Sequence, residues 1–192
     1  PNFSDALALL ANSHFVGAMR GYRTPLGVVV DSAAALARRA IALDSASGEA
    51  WQVLAGPALY LEHDCPKAKA LLEAGVRAAP THPAIRNFQA IYLGEVEGRI
   101  ASAIAVARRA TELDMATIFL NTLGDQYMRN RQYDSAIAVL RRAIDLDPGV
   151  SGPRLRLITS YERTGKFAEA VAARRASRGE DGVAPLESGF KS

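Results

Sequence analysis

The side chains best suited to chemistry stand together at His63, Asp64 and Cys65, directly before Pro66. All three are metal-ligand types, but adjacent residues of one turn seldom converge on one ion. No Cys-x-x-Cys or His-x-x-x-His spacing accompanies them. An acidic residue shortly before a proline is instead typical of a helix start. We therefore predict that a helix begins at Asp64, and we predict neither a metal site nor a cofactor.

Patterns typical of enzymes do not occur elsewhere in the sequence. Glu95 and Glu97 are two residues apart, so on a helix they point to different sides and cannot act as an acid–base pair. The sequence contains no nucleophile elbow, no Walker loop and no glycine-rich dinucleotide motif. Cys65 is the single cysteine, so no internal disulfide can form. We predict that this chain is not an enzyme.

Paired arginines are the most prominent charged feature. The phrase Arg-Arg-Ala-x-x-Leu-Asp begins at Arg38, at Arg108 and at Arg141, and Arg174-Arg175 falls one place earlier in its segment. A row of such pairs on an outer surface could bind an anionic surface or nucleic acid. However, Glu112 and Asp145 follow Arg108 and Arg141 by four residues, which favours local ion pairs. The net charge of +3 is also mild, so nucleic acid is an alternative rather than the favoured partner.

The same phrase reveals an internal repeat. One copy begins at Arg108 and the next at Arg141, and the longer interval from Arg38 to Arg108 leaves room for a degenerate copy at Glu73–Pro80. A period of about 33–35 residues is typical of stacked supersecondary units, which build binding surfaces more often than active sites. No run of about 18 apolar residues occurs, so we predict no membrane span in this chain.

One unit, Thr117–Val150, shows the architecture clearly. Apolar residues at helical spacing predict one helix from about Thr117 to Asn130 and another from about Tyr133 to Leu146, ended by Pro148-Gly149. Small residues mark places where helices nearly touch. We predict that Gly124 and Ala136 form the close approach within this helical hairpin.

This unit resembles a tetratricopeptide repeat (TPR). The eight signature positions are Leu120, Leu123, Gly124, Tyr127, Ala136, Leu140, Ala143 and Pro148. The resemblance implies an all-α fold, a right-handed α-solenoid of about five TPR-like helical hairpins. It also implies that the first helix of each hairpin lines a concave groove that binds a peptide or a helix.

We divide the solenoid, residues 1–177, into units at about 1–48, 49–83, 84–116, 117–150 and 151–177. The first unit is irregular, with helices expected at about Ser4–Arg20 and Asp31–Leu43 and a break at Gly21–Gly27. Such a break is either a functional loop or the irregularity of a terminal repeat. Residues 178–192 are rich in Gly, Ser and charge, which favours a flexible tail over a segment folded back on the last hairpin.

Placing the repeat pattern on this chain predicts which residues line the groove. The candidate partner-binding residues share inward positions of first helices: Tyr60, Phe88, Tyr92, Asn121, Asp125, Met128, Arg156 and Thr159. Phe88 and Tyr92 could alternatively pack between neighbouring first helices. The surface is aromatic at its start and polar at its end, which suits a peptide with an apolar anchor.

The repeat pattern and the opening sequence also resemble the C-terminal TPR arrays of bacterial signalling proteins, namely transmembrane winged-helix regulators, adenylate cyclases and Ser/Thr kinases. The resemblance implies a non-catalytic protein-binding module, either the sensory part of a signalling protein or a scaffold subunit of an assembly. A small-molecule sensor and an anionic-surface binder are the alternatives. The compartment stays open between cytoplasm and periplasm, because it depends on whether this is part of a larger, membrane-anchored chain.

Overall fold

The computed structural model describes residues 3–19 and 26–180, and every regular element in these ranges is an α-helix. The helices are α1 (Phe3–Met19), α2 (Leu26–Leu43), α3 (Gly48–Tyr60), α4 (Cys65–Ala78), α5 (Pro83–Glu95), α6 (Ile100–Leu113), α7 (Thr117–Arg129), α8 (Tyr133–Leu146), α9 (Ser151–Arg163) and α10 (Phe167–Glu180). The predicted all-α fold is confirmed. Within the described ranges, no helix has both the length and the apolar character needed to cross a membrane.

The helices pack as consecutive hairpins, α1 with α2 and so on to α9 with α10. The chain divides into two compact bodies, an N-terminal body (Pro1–Met115) and a C-terminal body (Ala116–Ser192). In the N-terminal body α2 packs on α3 and α4 packs on α5, while in the C-terminal body α8 packs on α9. Each body therefore repeats the same two contacts, one within a hairpin and one between neighbouring hairpins.

The turn inside each of the last four hairpins has the same backbone conformation. One residue with positive φ stands two places before the second helix: His63 (54°), Gly98 (66°), Arg131 (57°) and Gly165 (74°). This left-handed conformation suits glycine and costs other residues about 1–2 kcal/mol. Two turns therefore contain the favoured residue and two are strained.

The starts of α4 and α5 are fixed by local sequence. The Asp64 carboxylate accepts a hydrogen bond from the Lys67 backbone N–H at 2.9 Å, so the predicted helix start at Asp64 is confirmed. At α5 the His82 ring accepts from the Ala84 N–H, and Pro83 is the first helical residue. Proline suits this position because the first backbone N–H groups of a helix have no intrahelical partner.

Two predicted boundaries differ from the structure. Helix α2 begins at Leu26 rather than Asp31, so Leu26 and Gly27 of the expected break are helical, while residues 20–25 lie outside the described residues. Glycine is tolerated there because it lies in the first turn, whereas its conformational freedom destabilises a helix most in the middle. Helix α10 ends at Glu180, so the first three residues of the expected tail are helical and residues 181–192 lie outside the description.

Small residues allow close packing, and at Gly124 the nearest contact is a side chain that was not predicted. Ala103, Ala107 and Ala110 of α6 are fully buried, as are Ala136 and Ala143 of α8. At Gly124, however, an added Cβ would lie 2.6 Å from Leu140 Cδ2, and the nearest atoms all belong to Leu140 rather than to Ala136. The glycine therefore makes room for a large side chain one turn further along α8.

Candidate partner-binding surface

Helices α7 and α9 bring three of the predicted residues together. Arg156 donates from Nε to Asp125 Oδ1 at 3.0 Å and from Nη1 to Asn121 Oδ1 at 3.4 Å. Asp125 also accepts from Arg129 Nε at 2.8 Å, so its carboxylate bridges two guanidinium groups. The Asp125 side chain is 18% exposed, which leaves this cluster accessible at the surface.

Two large apolar side chains flank this cluster. Ile118 precedes Asn121 by three residues on α7 and is 57% exposed, while Leu155 precedes Arg156 on α9 and is 61% exposed. We call Ile118, Asn121, Asp125, Arg129, Leu155 and Arg156 the α7–α9 surface. It combines exposed apolar groups with the Asp125–Arg129 and Asp125–Arg156 ion pairs.

The other two residues predicted here are less available. Met128 is partly buried and packs against the core of the C-terminal body. The Thr159 hydroxyl donates to the Leu155 carbonyl at 3.1 Å, a backbone contact four residues back along its own helix. Both border the α7–α9 surface without adding a free polar group to it.

In the N-terminal body the predicted aromatic residues are directed into the core. Phe88 is 2% exposed and Tyr92 is 4% exposed, and the half-buried Tyr60 ring meets Phe88 edge to face at 6.3 Å. The Tyr92 hydroxyl donates to the Cys65 carbonyl at 3.1 Å. Burial raises the pKa of Tyr92 above its usual value, which keeps this donor protonated. Of the two interpretations of Phe88 and Tyr92, packing between first helices is the one the structure favours.

A one-residue difference in register explains this burial. Helix α5 begins at Pro83 and α7 at Thr117, a spacing of 34, whereas the expected placement of Phe88 beside Asn121 assumed 33. One residue corresponds to about 100° around a helix, enough to turn a surface residue into the core. With the observed starts, Asn87 rather than Phe88 occupies the place of Asn121.

Two residues at such positions of first helices, Asn87 and Arg129, were not among the candidate residues predicted from the sequence. Asn87 is buried, and its Oδ1 has no hydrogen-bond partner within the described structure. The signal for Asn87 was Pro83, which marks the first residue of α5. The signal for Arg129 was its spacing of four from Asp125 on one helix.

The arginine pairs lie on exposed positions of second helices, as expected, but their ion pairs differ from those predicted. Arg109, not Arg108, contacts Glu112, at 2.9 Å. Arg141 donates from Nε to the Tyr161 hydroxyl at 2.8 Å and lies over that ring at 5.6 Å, rather than pairing with Asp145. The partner of each arginine therefore depends on packing and on the side-chain rotamer, not on sequence spacing alone.

Comparison with known proteins identifies the fold. A family model described as tetratricopeptide repeat matches residues 127–176. The solved structure of PilW, a widely conserved type IV pilus biogenesis factor, is similar with a TM-score of 0.70 and 21% identity, over 91% of this chain and 79% of that one. A comparison with curated protein sequences finds no significant match.

Two further solved structures show the same fold. A thermophilic TPR protein from Thermus thermophilus has a TM-score of 0.66 and 21% identity, over 92% of this chain and 93% of that one. YrrB, described as a TPR protein with an unusual peptide-binding site, has a TM-score of 0.59 and 18% identity, over 79% of this chain and 77% of that one. The expected tetratricopeptide repeat is therefore confirmed for residues 127–176, and the described helices have the fold of TPR proteins.

Proposed function

We propose that this chain is a non-catalytic protein-interaction module and that its α7–α9 surface binds a peptide or helix of a partner protein. The TPR fold supports the general role, and the peptide-binding site named for the structurally similar YrrB makes a peptide ligand reasonable. The observation that carries the proposal is the position of Ile118 and Leu155, both more than half exposed beside the Asp125–Arg156 ion pair.

The chemistry of this surface suggests the character of the ligand. Burying exposed aliphatic side chains gains about 25 cal/mol per Å² of apolar area, so an apolar side chain of the partner would contact Ile118 and Leu155. We therefore expect a peptide or helix that presents an apolar side chain as its anchor.

A site-specific photocrosslinker tests the location. It would replace Leu155 in one variant and Ala138, an exposed residue of α8, in a matched control. We expect a discrete protein adduct from position 155 in extracts of the native host and none from position 138. Adducts from position 138 alone would overturn the proposed location. The absence of a protein adduct from both positions would overturn the proposed role in protein binding.

The wider setting is part of the same proposal. The resemblance to C-terminal arrays of bacterial signalling proteins supports a sensory or partner-binding part of a signalling protein, and a scaffold subunit is the other version. Capture of the adduct partner distinguishes them, since a signalling version requires a partner whose binding changes the output of an attached regulator, cyclase or kinase. A constant output with and without the partner would leave the scaffold version.

The arginine pairs define the competing function, and ionic strength separates the two. Binding of an anionic surface by exposed arginines falls steeply as salt rises. Binding at the α7–α9 surface depends on apolar contact and is expected to change little between low and physiological salt. Charge reversal at Arg108 and Arg109 would abolish the first kind of binding and leave the second unchanged.

A further inference from the structure

A cavity of about 280 Å³ lies between α4 and α5 in the N-terminal body. Its buried surface includes Leu72, Tyr92 and Leu93, and charged side chains stand around its opening. Among them Glu97 accepts from Lys69 Nζ at 2.7 Å and contacts Arg99 at 3.3 Å. The cavity thus has an apolar floor and a charged rim, the usual composition of a small binding site.

The equivalent space between α8 and α9 is filled by the protein itself. Tyr161 is the eleventh residue of α9 and Arg141 the ninth of α8, and the ring and guanidinium contact each other there. In the N-terminal body α5 corresponds to α9 and α4 to α8. The eleventh residue of α5 is Leu93 and the ninth residue of α4 is Glu73. Both line the cavity, where a leucine and a glutamate stand in place of a tyrosine and an arginine.

We infer that this cavity binds one tyrosine side chain of a partner protein, its ring over Leu72 and Leu93 and its hydroxyl donating to the Glu73 carboxylate. The filled contact between α8 and α9 shows that a phenol ring suits the space between two such helices. Where Arg141 donates to the phenol oxygen, Glu73 can only accept, so the ligand must supply the proton of the hydrogen bond.

The rim favours the same ligand. Glu73 and Arg77, one turn apart on α4, are both exposed side chains that line the cavity. An arginine beside an aromatic ring adds a cation–π attraction, as Arg141 does over Tyr161. The volume suits one large side chain better than a drug-sized molecule, for which sites usually start at about 300 Å³.

Titration of the chain with blocked amino acids tests this inference by NMR. The probes are the N-acetyl amides of tyrosine, phenylalanine and leucine at millimolar concentration. We expect amide signals of residues 69–77 and 89–99 to shift with the tyrosine probe. The phenylalanine probe should bind about three- to tenfold more weakly, the effect of losing one hydrogen bond, and leucine more weakly still. Equal affinities, or shifts elsewhere in the chain, would overturn the inference.

Two variants make the test specific. Leu93→Tyr with Glu73→Arg copies the filled contact and should abolish binding while raising the Tm, whereas Leu146→Tyr, at an exposed position of α8, should change neither. Glu73→Ala alters only an exposed side chain and should remove the preference for tyrosine over phenylalanine, because it removes the hydrogen-bond acceptor. A preserved preference in Glu73→Ala, or undiminished binding in the double variant, contradicts the assignment. The cavity and the α7–α9 surface share no residue, so either proposal can fail alone.

Discussion

The N-terminal and C-terminal bodies use the same repeat differently. In the C-terminal body the space between α8 and α9 is filled by Tyr161 and Arg141, and polar side chains remain on the α7–α9 surface. In the N-terminal body Phe88 and Tyr92 are buried, and a cavity remains between α4 and α5. A repeat therefore fixes where helices lie, while single residues decide whether the space between them is filled or left open for a ligand.

The largest expected effect comes from emptying the filled contact. Tyr161→Leu should lower the free energy of unfolding by about 2–4 kcal/mol, because it removes a buried ring and leaves a cavity. It also removes the hydrogen bond and the cation–π contact with Arg141. Urea unfolding followed by circular dichroism measures this. A change no larger than that of an ordinary surface substitution, about 0.5 kcal/mol, would show that the ring is not what holds α8 against α9.

A smaller effect is expected where a glycine permits close packing. Gly124→Ala should destabilise the chain by about 1–3 kcal/mol, since its Cβ would meet the buried Leu140 at 2.6 Å. Gly152→Ala is the matched control in the same body, where the nearest atoms lie at 3.6 Å and an added methyl makes ordinary contact. If thermal unfolding shows the two variants equal, Leu140 moves aside without cost and the packing argument fails.

Substitutions in the turns should change the free energy of unfolding by about 1 kcal/mol, with opposite signs in the two bodies. Arg131→Gly should stabilise the C-terminal body by about 1 kcal/mol, because it relieves a left-handed backbone at a non-glycine residue. Gly98→Ala should destabilise the N-terminal body by a similar amount, although open space surrounds it. Chemical denaturation measures both changes, and a shared sign would refute a purely conformational cause.

The smallest effect concerns pH at the cavity rim. The hydrogen bond from Lys69 holds the pKa of Glu97 below its usual value of 4.5, so the folded state favours the carboxylate. A lowered pKa gives stability that is present above about pH 4.5 and is lost as the pH falls through the folded-state pKa. The Tm advantage of the native chain over Glu97→Gln should therefore be constant from pH 6 to 8 and shrink below pH 4.5. An advantage that does not shrink at any pH below 4.5 would contradict the ion pair as its source.

The sequence predicted most of the fold, because the period and the breaks report backbone geometry directly. The predicted bounds of α7 and α8 were accurate within one residue, since Pro148-Gly149 and the signature residues punctuate that unit. The α5 register was wrong by one residue because its candidate residues were placed 33 residues before those of α7, whereas the two helices begin 34 residues apart. This shift of one residue decides whether Phe88 and Tyr92 face the surface or the core.

The candidate sites were less predictable, and for different reasons. Asn121, Asp125 and Arg156 lie together because α7 and α9, which begin at Thr117 and Ser151, keep the register that the repeat predicts. The cavity was not predicted, because it depends on what fills the space between α4 and α5 rather than on a motif. A comparison of Leu93 with Tyr161, the eleventh residues of their helices, would have indicated the cavity. That comparison requires the helix starts, which the structure supplies.

The most direct test of the central claim is the affinity of the partner captured through position 155 for three purified variants of the chain. Leu155→Glu and Ile118→Glu place a charge where an apolar contact is proposed, and they should each weaken binding at least tenfold. Ala138→Glu adds the same charge on α8 and should stay within twofold of the native chain. Equal losses in all three variants, or a loss confined to Ala138→Glu, would contradict binding at the α7–α9 surface.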